Sequence, residues 1–212
     1  MCGILIFVTS GSCVNDTVRE CLQVLVPRGP DVNGLMGYER NGAHVYIGHT
    51  RLCINTPDSG AQPLTYEKDN AFLTINGEIY NSKELEHKYF PSQGGFRSDC
   101  DVVGHMLKNI ITRTNKNVDI QVGNALNELD GIFSLGICKD DLIVVARDPI
   151  GVTSLYLGWT LVDNCLVSAG IASEMKALLP LCEHIIEFDP GTYCILDIQT
   201  LFTRHTEDPW GM

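Results

Sequence analysis

The sequence predicts a single α+β domain built from many strands and two groups of helices. The strand-like and helical segments follow one another without a repeated β-α-β order, which argues against a parallel, doubly wound sheet. The 212 residues are enough to bury a substantial core. No shift in composition marks a domain boundary, so we expect one domain over residues 1–212.

The first half of the chain combines a strand, a helix and a hairpin. Residues 3–9 are almost continuously apolar, which is typical of a buried strand. Apolar residues at i, i+3, i+4 and i+7 predict a helix over 17–25, with Asn15 or Asp16 as its cap. Two strand-like runs flank Asn41-Gly42, a dipeptide that favours a tight hairpin turn.

The second half begins with a strand over 71–75 that runs into Asn76-Gly77. A short helix is predicted over 82–89. A stronger amphipathic helix follows Ser98, whose spacing to Asp101 resembles a capping box. The remaining predicted elements are a helix over 122–129, strands over 131–138, 142–146, 154–159, 165–169 and 192–198, and a short helix over 172–179.

The charge balance and the cysteines exclude several classes of protein. A net charge of −11 does not suit binding to a nucleic-acid backbone, which requires a basic surface. Nine cysteines without a Cys-x-x-Cys pair argue against a zinc site, and no metal is expected. The thiols and the lack of a signal peptide favour a reducing, cytoplasmic setting. The acidic net charge suits small-molecule ligands. No apolar stretch reaches transmembrane length, so we expect no membrane partner.

Cys2 is the first candidate for chemistry, because it directly follows Met1 and precedes the apolar run. Removal of Met1 would leave a thiol and a free α-amine on one residue. An α-amine titrates near about 8, so it is a usable base at neutral pH. A deprotonated thiol is a good nucleophile. The alternative is a second-position cysteine without function.

Three further features could serve such a nucleophile, and each also has a structural explanation. Arg51 could bind a carboxylate through two hydrogen bonds, or it could be a surface arginine. Asn76-Gly77 offers a side-chain amide and a backbone N–H, the two donors that an oxyanion hole needs, or it could be a tight strand-to-loop turn. Asp99 could receive an ammonium group, or it could complement the dipole of its helix.

Other charged residues are expected to have structural roles. Arg28, Arg147 and Asp148 flank turns and suit structural salt bridges. His49 precedes Arg51 by two positions and is expected in the core or behind the site. The six histidines show no spacing that indicates a metal site or a catalytic triad.

These residues lie in a series of motifs that runs along nearly the whole chain. The motifs are Met1-Cys2-Gly3-Ile4, Arg28-Gly29-Pro30-Asp31, Arg51-Leu52, Ala61-Gln62-Pro63-Leu64, Asn76-Gly77-Glu78-Ile79-Tyr80-Asn81, Ser98-Asp99-Cys100-Asp101, Arg147-Asp148-x-x-Gly151-x-x-x-Leu155-Tyr156 and Ala172-Ser173-Glu174-Met175-Lys176-Ala177-Leu178. In this order they resemble the glutaminase domain of asparagine synthetase, a class II glutamine amidotransferase with the N-terminal-nucleophile hydrolase fold. The resemblance implies a four-layer αββα sandwich of two antiparallel sheets.

The resemblance also implies a role for each site residue. Cys2 would be the nucleophile that hydrolyses L-glutamine to L-glutamate and ammonia through a γ-glutamyl thioester. Asn76 and Gly77 would form the oxyanion hole, Arg51 would bind the substrate α-carboxylate, and Asp99 would bind its α-ammonium group. The rest of the implied pocket is Leu52, Cys53, Ile54, Asn55 and Glu78.

The sequence departs from the family pattern in detail and in extent. Pro27, Asn55 and Ser154 replace the histidine, apolar residue and proline usual in the family. The family's ATP-dependent synthetase domain is not expected within these residues, because its Ser-Gly-Gly-x-Asp-Ser loop does not occur. The glutaminase domain needs no cofactor, and ATP and Mg²⁺ would belong to a synthetase partner or domain. Two alternatives remain: an inactive glutamine-binding or regulatory domain, or a docking subunit for a separate synthetase.

Overall fold

The computed structural model describes residues 1–53, 61–92, 95–112 and 114–202. Within these ranges the strands are β1 Gly3–Thr9, β2 Val32–Arg40, β3 Ala43–Arg51, β4 Leu64–Tyr66, β5 Ala71–Ile79, β6 Gly131–Lys139, β7 Leu142–Arg147, β8 Tyr156–Val162, β9 Cys165–Ala172, β10 His184–Glu187 and β11 Tyr193–Asp197. The helices are α1 Asn15–Gln23, α2 Ser82–Tyr89, α3 Asp99–Ile110, α4 Val118–Asn127 and α5 Ile198–Leu201. Short 3₁₀ turns cover Val26–Arg28, Glu67–Asp69 and Met175–Ala177.

The strands form two sheets whose neighbours pair antiparallel. The six-stranded sheet has the order β10-β8-β9-β1-β3-β2, and the five-stranded sheet has the order β11-β7-β6-β5-β4. β1 lies inside the first sheet, between β9 and β3. β5 lies inside the second sheet, between β4 and β6. The predicted α+β class is therefore confirmed.

Three apolar clusters show that the layers are helix, sheet, sheet and helix. One cluster lies between the sheets and includes Ile6 of β1 and Val145 of β7. A second packs α1 on the outer face of the six-stranded sheet through residues such as Leu5 and Leu22. The third packs α2, α3 and α4 on the outer face of the five-stranded sheet. Successive side chains of a strand point to opposite faces, so β1, covered on both, is apolar along its length.

Several predicted elements are confirmed. β1 and α2 have the predicted bounds. Asn41 and Gly42 both have positive φ, at 51° and 76°, as a tight hairpin turn between β2 and β3 requires. No helix in the described part of the chain is both long and apolar enough to cross a membrane.

Other predictions were wrong. The expected helix over 172–179 is a single 3₁₀ turn, because β9 continues to Ala172 in order to pair with β1 and β8. Asn15 is the first helical residue of α1 rather than its cap, and Val14 holds the cap position. Ser98 does cap α3, but its side chain makes no cap hydrogen bond. Strands β4 and β10 were not predicted.

Candidate active site

A pocket of about 350 Å³ opens at the end of the two sheets where β1 begins and β3 ends. Gly3 of β1 pairs with Thr50 of β3 in antiparallel register, so Cys2, which precedes β1, lies beside Arg51 at the end of β3. β5, from the facing sheet, and the start of α3 complete the wall. The predicted residues that line this pocket are Cys2, Arg51, Leu52, Asn76, Gly77, Glu78 and Asp99.

Cys2 is held by its main chain, and its thiol remains half-buried at the pocket wall. Its backbone N–H donates to Asn76 Oδ1 at 2.9 Å, and its carbonyl oxygen accepts from Arg28 Nε at 2.9 Å. The thiol makes one long contact, at 3.9 Å, to the Leu52 carbonyl oxygen. Because Met1 precedes Cys2, the Cys2 nitrogen here is a peptide nitrogen. Met1 itself is 57% exposed. The bond to Asn76 fixes this nitrogen beside the thiol.

Asn76 and Gly77 lie inside β5, which corrects the expectation that they follow a strand. The Asn76 side chain reaches Cys2, the residue before β1 of the other sheet, and its Nδ2 is buried without a hydrogen-bond partner among the described residues. Gly77 must be glycine, because an added Cβ would lie 2.2 Å from the Ile132 carbonyl oxygen. The pair is therefore a rigid piece of sheet rather than a turn.

The backbone N–H of Gly77 is directed to the same side as those of Ile75 and Ile79, since alternate residues of an antiparallel strand point their polar groups to the same edge. Ile75 N–H donates to Gln62 Oε1 at 2.8 Å, and Ile79 N–H donates to Asp99 Oδ2 at 2.8 Å. Both acceptors line the pocket. The Gly77 N–H thus lies between two donors that already face pocket residues.

Arg51 and Asp99 supply opposite charges at the wall. Arg51 ends β3 and is 9% exposed, so its guanidinium is largely withdrawn from bulk water. Asp99 is the first residue of α3, where a carboxylate also complements the helix dipole. Its structural and its functional interpretation are therefore compatible. A substrate that carries both a carboxylate and an ammonium group matches this pair of charges.

The remaining predicted pocket residues are placed less clearly. Glu78 is exposed at the rim. Cys53 does not line the pocket, and its N–H donates to Asp31 Oδ2 at 2.7 Å. Ile54 and Asn55 lie outside the described residues.

His49 is fully buried behind Arg51, as predicted. Thr74 Oγ1 donates to the Gly48 carbonyl oxygen at 3.1 Å, so the 3.0 Å contact from His49 Nδ1 requires the proton on Nδ1. Nε2 then carries a lone pair and has no partner within the described ranges. Burial, with the nearby Arg51 charge, lowers the pKa of His49 to about 3. This imidazole is neutral and joins the two sheets.

The residues expected to form salt bridges divide into two groups. Arg28 pairs with Glu174 at 3.2 Å, in addition to its bond to Cys2, and Arg147 pairs with Glu187 at 2.9 Å. Asp148 instead accepts the backbone N–H groups of residues 150–152, which fixes a turn. Arg28 therefore does more than predicted, because it also holds the main chain of the candidate nucleophile.

Sequence reasoning missed several residues of the wall, among them Gln62, Ser98, Cys100 and Thr153. Gln62 is the most informative, because its side-chain amide makes paired hydrogen bonds to the backbone of Ile75, at 2.8 and 3.0 Å. Gln62 thereby extends the hydrogen bonding along this edge of β5 beyond Leu64, the first residue of β4. Its place in an Ala-Gln-Pro-Leu motif was the available signal. No group of three or more metal-binding side chains occurs within the described residues.

The sequence of this chain is similar to those of known glutamine amidotransferases. A family model described as a glutamine amidotransferase domain matches residues 1–200. The nodule asparagine synthetase [glutamine-hydrolyzing] of Pisum sativum is 38% identical over 99% of this chain, which covers 33% of that protein. Asparagine synthetase [glutamine-hydrolyzing] 1 of Arabidopsis thaliana is 39% identical over 91% of the chain, which covers 31% of it. The chain thus spans about a third of the length of these relatives.

Solved structures show the same fold at low identity. Glutamine phosphoribosylpyrophosphate amidotransferase from B. subtilis superimposes with a TM-score of 0.71 at 21% identity, over 92% of this chain and 47% of that one. A protein described as a predicted glutamine amidotransferase from Pseudomonas aeruginosa gives 0.53 at 13% identity, over 93% and 97% of the two chains. The four-layer sandwich is therefore the N-terminal-nucleophile fold of amidotransferases. Because the family model matches residues 1–200, the chain belongs to the family of glutamine amidotransferase domains.

Proposed function

We propose that this chain hydrolyses L-glutamine to L-glutamate and ammonia, with Cys2 as nucleophile once Met1 has been removed. The observation that carries the proposal is the bond from the Cys2 nitrogen to Asn76 Oδ1, beside a thiol on the wall of a pocket with one cation and one anion. Glutamine has the matching carboxylate, ammonium and side-chain amide. The names of the plant relatives, which include glutamine hydrolysis, support the same reaction.

Substrate binding depends on the two charges. Arg51 binds the α-carboxylate through a charge-assisted pair of hydrogen bonds. Asp99 binds the α-ammonium group with the carboxylate oxygen that Ile79 leaves unused. The side-chain amide then extends toward Cys2. Such clamping holds the reacting carbon next to the thiol, which is the main benefit of binding before reaction.

Removal of Met1 changes the chemistry of the Cys2 nitrogen. A peptide nitrogen is not basic, whereas an α-amine has a pKa near about 8 and takes a proton from the thiol, directly or through a water. Asn76 Oδ1 continues to accept one N–H and so orients the nitrogen lone pair. Arg28 holds the Cys2 carbonyl oxygen in place.

The reaction has an acylation half and a hydrolysis half. The thiolate sulfur bonds to the glutamine δ-carbon, and the amide oxygen becomes an oxyanion that accepts from Asn76 Nδ2 and Gly77 N–H. The protonated amine gives its proton to the leaving nitrogen, the C–N bond breaks, and ammonia departs from a γ-glutamyl thioester. The amine then takes a proton from water, whose oxygen replaces sulfur at the same carbon and releases glutamate.

The fate of the ammonia is a proposal that reaches beyond this domain. We propose that residues 1–212 form a single glutaminase domain in the cytoplasm. We also propose that its ammonia is used for asparagine synthesis by a synthetase domain or subunit that uses ATP and Mg²⁺. The names of the relatives, which are glutamine-hydrolysing asparagine synthetases, support this use of the ammonia.

The thioester can be observed directly. A chain that begins at Cys2 is mixed with glutamine, quenched in acid within one turnover, and weighed intact. We expect an adduct with the mass of a γ-glutamyl group in the parent and in Cys13→Ala, which removes an exposed thiol outside the pocket. We expect no adduct in Cys2→Ala. An adduct that persists in Cys2→Ala would assign the nucleophile to another residue.

A further inference from the structure

A second carboxylate, Asp101, lies two residues after the one that faces the pocket and is turned into the protein. It is only 2% exposed. Its Oδ1 accepts from Tyr66 OH at 2.8 Å and from an Arg97 guanidinium nitrogen at 2.9 Å. Its Oδ2 accepts from the Arg97 backbone N–H at 2.9 Å and from Arg97 Nε at 3.0 Å. Burial by itself would raise the pKa of Asp101, but the bonds from Arg97 and Tyr66 hold it below its usual value.

These bonds close a short loop around the start of α3. Arg97 and Asp101 are four residues apart, and Ser98, Asp99 and Cys100 between them all line the pocket. Asp101 and Arg97 do not line it. A cap bond from Ser98 would be the usual way to fix the first turn of a helix, and its side chain makes none. The Arg97–Asp101 pair performs that function instead.

Tyr66 extends the connection from α3 to the strand that follows Gln62. It ends β4, the strand that begins two residues after Gln62, which is itself bonded to Ile75 next to the oxyanion pair. Its hydroxyl lies so close to α3 that a Cβ on Gly104 would be 2.0 Å from it. The Arg97 guanidinium also stacks on the Tyr66 ring, 5.2 Å from its centroid. Gly104 thus allows the Tyr66 hydroxyl at the end of β4 to reach the carboxylate of Asp101 in α3.

We propose that Asp101, Arg97 and Tyr66 are positioning residues that hold Asp99 at the ammonium end of the glutamine pocket. The inference rests on the proposed glutaminase function and deepens it, because it assigns part of the substrate selectivity to residues that never touch substrate. Among the described residues, Asp99 accepts hydrogen bonds on Oδ2 alone, from the Ile79 N–H at 2.8 Å and from Cys100 Sγ at 3.7 Å. The direction of the other oxygen depends on the turn that Asp101 fixes.

The test compares glutamine with glutaric acid monoamide, which keeps the carboxylate and the amide but lacks the α-amine. The parent chain, beginning at Cys2, should prefer glutamine because Asp99 binds its ammonium group. In Asp101→Asn, an amide replaces a carboxylate that accepts four hydrogen bonds, so we expect the glutamine KM to rise about tenfold and the preference for glutamine to fall about tenfold, with kcat changed less than about threefold. Tyr66→Phe removes one of the four bonds and should give a smaller shift in the same direction.

The control is Asp141→Asn, which removes a similar buried carboxylate bonded to Arg40 and Asn41 far from the pocket. All variants are compared by thermal unfolding, and the dissociation constant for glutamine is measured in a Cys2→Ala background. The control should lose stability but keep the parent preference. The positioning role would be refuted if Tyr66→Phe and Asp101→Asn also lost stability but kept the parent preference for glutamine. It would also be refuted if Asp101→Asn failed to fold while Tyr66→Phe folded normally and kept the parent preference. An inactive parent would instead refute the proposed function, while the binding measurement would still report on Asp99.

Discussion

Asn76 makes two separable contributions, and substitution can distinguish them. Its Oδ1 accepts the Cys2 N–H, and its Nδ2 is buried with no partner within the described ranges. Asn76→Asp keeps an oxygen for the Cys2 nitrogen but replaces the donor with a second oxygen. Asn76→Ala removes both atoms. The proposed mechanism requires the donor in the transition state and the acceptor throughout.

The expected magnitudes follow from these roles. Loss of one oxyanion donor costs about 2.7–4 kcal/mol, which is a decrease in kcat of about 100- to 1000-fold. Asn76→Asp should lose at least as much, because it also places a negative charge beside the developing oxyanion. Loss of the bond to Cys2 costs about 1 kcal/mol of stability. Because that bond also orients the amine, Asn76→Ala should lose kcat through the absence of both side-chain atoms.

Steady-state glutamate release by chains that begin at Cys2 measures both effects. The KM for glutamine should change less than about threefold, because Arg51 and Asp99 still bind the substrate. Asn81→Asp is a matched control, since its amide also bonds main chain at both atoms near the end of β5 but lies outside the pocket. It should keep kcat while losing stability. A normal kcat in Asn76→Asp would remove Asn76 from the oxyanion hole.

Two further predictions concern charge. Arg51→Ala should raise the glutamine KM about 10- to 100-fold, the value of a charge-assisted hydrogen bond of about 1.5–3 kcal/mol, and an unchanged KM would refute the carboxylate role. His49 has a folded-state pKa of about 3, below its unfolded value, so its contribution to stability is complete above about pH 6.5 and decreases as the pH falls toward 3. In this window only the unfolded chain binds the proton, and urea unfolding should lose about 1.4 kcal/mol per pH unit from His49. The difference in slope between the parent and His49→Gln isolates this loss, and equal slopes would contradict the neutral assignment.

The parts of the fold that could be predicted are those with strong local signals. The apolar run of β1 and the Asn41-Gly42 turn specify their structure within a few residues. β4 and β10 have only three and four residues and exist through pairing with β5 and β8, which composition does not encode. The same long-range pairing extends β9 and prevents the helix predicted after it.

The site shows the same division. Cys2, Arg51, Asn76 and Asp99 are predicted site residues because their residue types suit the chemistry and because the motif order resembles a known family, and all four line one pocket. Gln62 and Asp101 were missed or misassigned, because their roles depend on partners distant in sequence. The spacing of Asp101 to Ser98 predicts a capping role, whereas in the structure a tyrosine 35 residues earlier is one of its partners. Local spacing could not reveal that bond.

In the proposed mechanism, the catalyst is the chain that begins at Cys2. The most direct measurement compares glutamate and ammonia release from glutamine by two samples of the same sequence, one with Met1 removed and one with Met1 retained, each verified by intact mass. We predict equal amounts of glutamate and ammonia from the first sample and no reaction above the Cys2→Ala background from the second, whose Cys2 nitrogen is a non-basic amide. Equal rates from both samples would contradict the account, because the α-amine would then play no part in the reaction.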